Sequence, residues 1–149
     1  MNLSISNLSW KNKELDKVIK ILKLNKIKYI EYSLYNLTNN DKSRKKIFRI
    51  KKYWKKRYFN LYSMQSVLYK VKNAYIFGNK NQHLNFLKEI KEKINIESIL
   101  NSKVIVFGSP ENKKTFQKKK SECDEIMLNF LKKIMPLCIK KNIFFCIEA

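Results

Sequence analysis

The chain has 149 residues, 44% hydrophobic and 13% aromatic, and carries a net charge of +21. That is enough apolar material for one packed domain and too much for a disordered tail. No apolar run approaches the roughly 18–20 residues of a membrane span, and the first residues lack a basic stretch followed by an apolar core, so a cytoplasmic protein without membrane partners is expected.

Residues 3–7 (Leu-Ser-Ile-Ser-Asn) read as a first strand. Leu15, Val18, Ile19 and Leu22 then recur at helical spacing over 13–24, with lysines on the other face. Residues 28–32 read as a second strand. The basic stretch 41–56 predicts a helix whose stripe is Ile47, Ile50, Tyr53 and Trp54, with Asp41 as its cap. Residues 58–63 read as a third strand, and 64–81 as an irregular segment holding Gly78. A helix follows over 82–99, with Leu84, Leu87, Ile90 and Ile94 inward. Lys103-Val-Ile-Val-Phe107 is the clearest strand and ends in the turn Gly108-Ser109-Pro110. A long helix is expected over 115–141, kinked or broken near 135 by Pro136. Residues 143–148 (Ile-Phe-Phe-Cys-Ile-Glu) read as a fifth strand.

Strands alternating with longer helical segments predict an α/β fold with parallel strands, (βα)4β5. The spacing matches the repeat of a (βα)8 barrel, of which a full copy takes about 250 residues, so the expectation is a partial TIM barrel. An open doubly wound sheet is the alternative; the lack of a Gly-rich loop after the first strand weakens it.

Several strings carry a resemblance: Ile5-Ser6-Asn7-Leu8-Ser9-Trp10; Tyr62-Ser63-Met64-Gln65-Ser66-Val67-Leu68-Tyr69 with Ile76-Phe77-Gly78; Val104 through Lys113; and, more weakly, Cys146-Ile147-Glu148. In this order and spacing the chain resembles the sugar phosphate isomerase/epimerase family of xylose-isomerase-like barrels. The resemblance implies that residues 1–149 are the N-terminal part of one such domain, truncated after strand five. Both glycines lie inside these strings, where a backbone conformation that other residues resist is expected. Lys28 and Asn101 depart from it, standing where glycine is expected before strands two and four.

The resemblance also implies an active site at the C-terminal ends of the strands. There a divalent metal (Mn, Co or Mg) would polarise a sugar or sugar phosphate while a carboxylate moves a proton at carbon. Of the carboxylate and His ligand set implied for strands five to eight, only Glu148 would be present, as metal ligand and catalytic base. Glu31 would bind a substrate hydroxyl, or equally form a salt bridge. Ser63, Gln65, Ser109 and Asn112 suit sugar hydroxyls or phosphate, although Ser109 also suits a turn and Asn112 a helix cap. Trp10 suits sugar stacking or the core. His83, the single histidine, reads as structural, and one histidine does not equip a multi-His zinc hydrolase.

Arginine occurs only at Arg44, Arg49 and Arg57 among 33 basic residues. Readers of bases and phosphates favour the arginine fork, so no specific nucleic acid is expected. Lys, Asn and Ile all have A- and T-rich codons, so mutational bias is the preferred account of the charge, with a selected polyanion surface as the alternative. Cys123, Cys138 and Cys146 show no disulfide or metal spacing and are expected as packed thiols. Two functions compete: an isomerase or epimerase chain that is inactive as a fragment, and a basic noncatalytic half-barrel that binds polyanions or pairs with another polypeptide. Open edges at strands one and five make self-association an expectation under either.

Overall fold

Five short strands account for the sheet of the computed structural model, which describes Leu3 to Glu148. They are β1 (Ser4–Ser6), β2 (Tyr29–Ser33), β3 (Asn60–Gln65), β4 (Val104–Phe107) and β5 (Phe144–Ile147). Their order is β1-β2-β3-β4-β5, and every neighbouring pair is parallel. The crossovers hold α1 (Leu15–Leu24), α2 (Leu34–Thr38), α3 (Arg44–Lys56), α4 (Lys80–Leu100) and α5 (Lys120–Lys141). This is the (βα)4β5 alternation expected from the sequence.

One face of the sheet is buried in the core, and the other carries a mixture of polar and apolar side chains. Ile30, Tyr32, Leu61, Met64, Ile105 and Phe107 are buried and belong to one core with Ile19 and Leu22 of α1, Ile47, Ile50 and Trp54 of α3, Phe86, Ile90 and Ile94 of α4, and Phe130 and Ile134 of α5. Phe86 sits 5.4 Å from Phe107 and 5.1 Å from Phe130, in tilted aromatic packing. Each such ring, removed from water, contributes roughly 1.5–3 kcal/mol. Alternation sends Ser6, Tyr29, Glu31, Val104, Val106 and Phe144 to the opposite, concave face. No strand contains a Lys or Arg; the positive charge lies on helices and loops.

Several boundaries differ from the sequence reading. β3 begins two residues late because Tyr58 adopts φ 66°, a left-handed turn that strand backbone does not contain. α5 begins at Lys120, after Phe116 (φ 51°) and Gln117 (φ 64°). It runs through Pro136 without a break: Pro136 is exposed, and what it removes is one backbone donor. Ser43, not Asp41, caps α3, accepting from Lys46 N–H at 3.3 Å; Asp41 instead accepts from Ser43 N–H at 3.0 Å. In α4, Leu84 faces solvent and Phe86 takes the inward position. Cys123 and Cys138 are buried as expected, whereas Cys146 is exposed on the concave face.

The glycines also act differently from expectation. Neither has a positive φ. They provide room: a Cβ on Gly108 would collide with the Glu148 carboxylate, and one on Gly78 with the Gln82 side chain. The left-handed turns fall to other residues. Asn101 (φ 61°) and Asn142 (φ 53°) close α4 and α5, and Lys26 (φ 57°), not Lys28, makes the turn before β2. Asparagine tolerates this region better than most side chains, which explains how so glycine-poor a chain closes its helices.

Candidate functional site

A bulge in β3 builds the centre of the concave face. Ile30 pairs with Leu61 but Glu31 pairs with Ser63, so Tyr62 is the extra residue. The shift re-aims the strand and turns the Ser63 hydroxyl toward Glu31 Oε1, 3.5 Å away. Gln65, one step further along, donates from Nε2 to the Ser6 hydroxyl. Tyr62 packs edge-on against Tyr29 with centroids 5.4 Å apart.

Glu148 follows β5 at the same end of the sheet. Its carboxylate lies over Gly108, and its backbone carbonyl accepts from Lys113 Nζ at 2.6 Å. Burial raises the Glu31 carboxyl above its ordinary value of 4.5; the Ser63 hydroxyl pulls the other way, and the negative charge of Glu148 adds to the rise. The Glu148 charge thus reaches Glu31 from the far side of the sheet's C-terminal end. Among the described residues Glu31 forms no salt bridge.

Beside Glu148 opens a cavity of about 1010 Å³, whose lining includes Gln65, Ser109, Tyr35, Tyr69 and Lys70. The last three were not singled out in the sequence. Tyr35 and Tyr69 meet edge-on at 5.4 Å, and Lys70 Nζ donates to Tyr35 Oη at 3.1 Å while lying 4.6 Å above its ring. Their only sequence signal is two tyrosines just after strand ends, which surface tyrosines mimic.

Residues 66–75 supply much of the cavity's lining, and three side chains pin the backbone from 72 to 76. Asn112, buried, donates from Nδ2 to Ala74 O at 2.6 Å. His83 Nδ1 lies 2.6 Å from Ile76 O, a structural position. Asn85 donates to Lys72 O and Asn73 O at 3.1 and 3.0 Å. Asn112 thus reaches the cavity lining with its amide donor already committed, and it does not cap α5, whose N-terminal flank is Lys119. Asn112→Ala leaves the Ala74 carbonyl without that donor. We expect it to cost about 1–3 kcal/mol in urea unfolding and to speed amide exchange in 66–79. Trp10 sits half-buried against the core, away from this mouth.

A divalent metal needs several fixed ligands. Among the described residues no group of three or more His, Cys, Asp or Glu side chains is placed to hold an ion. Glu31 and Glu148 by themselves do not fit one.

No protein-family model matches the sequence, and no curated protein matches it. Solved structures do match the fold. A D-psicose 3-epimerase, solved in the presence of D-fructose, superposes with a TM-score of 0.75 at 14% identity over 100% of this chain and 52% of its own. A 3-keto-D-glucoside 4-epimerase from E. coli gives 0.73 at 14% identity, over 100% of this chain and 56% of its own. The IOLI protein, solved with a zinc atom, gives 0.71 at 14% identity, over 99% and 51%. The chain spans about half the length of each. At such identities the likeness shows the fold alone: five parallel strands alternating with helices, as in about half of each of these TIM-barrel structures. No helix among the described residues is long and apolar enough to cross a membrane.

Proposed function

We propose that this chain is the N-terminal part of one barrel domain, contributing the first five strands of a sugar isomerase or epimerase, and that it binds a ketose or sugar phosphate at the concave mouth. What supports the reading is the placement of Glu31, bonded by the Ser63 hydroxyl, and of Glu148, over Gly108, toward the C-terminal end of a parallel sheet, where barrel enzymes bind substrate. Glu148 is the base that takes a proton from a sugar carbon. Glu31 and Ser63 act as one hydrogen-bonding unit for a hydroxyl, and Gln65 and Ser109 orient the rest of the sugar. The epimerases named above act on sugars of this kind, which supports the class without choosing the sugar.

The 149-residue chain alone is an incomplete catalyst on this reading. Two carboxylates do not fix a Mn, Co or Mg ion, and the cations beside the mouth, Lys70 and Lys113, are already engaged by Tyr35 Oη and the Glu148 carbonyl. Incubation with D-psicose or D-fructose and Mn, followed by chromatography, is expected to show no interconversion. Turnover that disappears in Glu148→Gln would overturn the incompleteness. Turnover that survives in that variant would overturn the assignment of Glu148. The competing polyanion-binding role would use helices and loops, since the strands carry no cation.

A further inference from the structure

A second cavity, of about 360 Å³, lies between the loop after β1, α2 and α3. It is complete within this chain and independent of the concave mouth. Its volume falls in the usual range for small-ligand sites. Trp10 and Trp54, the only two tryptophans of the chain, both line it. The amides of Asn36 and Asn39 and the cations Lys46 and Arg49 complete its polar side. No Asp or Glu lines it. Asp41, exposed and accepting from Ser43 N–H, is held below its ordinary value chiefly by that bond, with a smaller contribution from the charges of Lys46 and Arg49.

This combination differs from the general lysine surface. Half-buried Trp10, buried Trp54 and the cations Lys46 and Arg49 line one cavity, and Arg49 is one of three arginines in the chain. Aromatic surface binds a flat ring by stacking, a guanidinium forks onto carboxylate or phosphate, and unpaired amides accept or donate to ring substituents. We propose that this cavity binds a small aromatic anion: a planar ring on the tryptophan side, its carboxylate or phosphate held by Arg49 and Lys46.

Because both tryptophans report on the cavity, their emission follows binding directly. The full chain is titrated with benzoate and with adenosine monophosphate, against benzamide, adenosine and inorganic phosphate. We expect a saturable emission change with at least one of the two aromatic anions. Benzoate alone would assign an aromatic carboxylate, the nucleotide alone a phosphate ester. The uncharged analogues and bare phosphate should bind at least tenfold more weakly. Arg49→Gln, on the exposed side of α3, should keep its circular dichroism and lose roughly tenfold in affinity, the loss of one charge-assisted contact. Lys118→Gln, outside the cavity, should change nothing. The proposal is overturned if neither aromatic anion shifts the emission. It is also overturned if phosphate or adenosine matches them, or if Arg49→Gln binds like the native chain.

Discussion

Glu97→Gln should stabilise the protein at alkaline pH and flatten its stability profile. Glu97 is wholly buried on α4, and Tyr32 Oη of β2 donates to its Oε2. Its Oε1 and the neighbouring Ser102 hydroxyl make no hydrogen bond of proper geometry among the described residues. Burial pushes the carboxyl up from 4.5 to about 8, against the opposing pull of the Tyr32 and Ser102 hydroxyls and the Val104 N–H. The same burial, with the negative charge of Glu97, drives the Tyr32 phenol well above its ordinary value. At neutral pH both groups keep their protons.

The sign follows from proton counting. Below 4.5 Glu97 is protonated folded and unfolded alike, and between 4.5 and about 8 only the folded state holds the proton. Stability therefore falls as pH rises through that window, by about 1.4 kcal/mol per unit, and levels off above it. The full span is worth about 5 kcal/mol, a large share of a domain's typical stability. Glutamine keeps an acceptor for Tyr32 and cannot ionise. Urea midpoints at pH 5 and pH 8.5 check this: the native chain should weaken markedly between them relative to Glu97→Gln. Parallel profiles would show that Glu97 is solvated.

The second large effect is association driven by salt. Among the described residues β1 and β5 are each paired on one side only. Phe144 is 65% exposed on the concave face, beside half-buried Val104 and Val106. Open edges with apolar side chains template pairing with another chain. The +21 charge opposes this, but its reach shrinks from about 30 Å at 0.01 M salt to about 10 Å at 0.1 M. We expect a chain that sediments as a monomer at low salt and as dimers or larger species at moderate salt. Phe144→Lys, at an exposed position, should suppress the shift. Monodispersity of the native chain at both salts would contradict the expectation.

The fold was largely legible because parallel strands with buried outer faces read as short apolar runs, and Val104-Ile-Val-Phe107 is one. What escaped was local. The β3 bulge that turns Ser63 to Glu31 leaves no mark in a string where Tyr62 and Ser63 both suit a strand. Left-handed turns at Tyr58 and Phe116 are invisible because aromatic residues seldom adopt them. Of the candidate site residues, Glu31, Ser63 and Gln65 were reached from strand ends. Asn112 looked the same in sequence, yet its amide serves Ala74, a partner 38 residues away. Glu97 gave no signal at all, since a glutamate in a helix is ordinarily exposed.

On the proposed reading Glu31 and Glu148 serve one substrate mouth. This is tested most directly by following the Glu31 side-chain carboxyl through a pH titration by carbon NMR, in the native chain and in Glu148→Gln. Glu31 should titrate above its ordinary 4.5 in the native chain and move down when the Glu148 charge is removed. An unshifted Glu31, or one indifferent to Glu148→Gln, would contradict it.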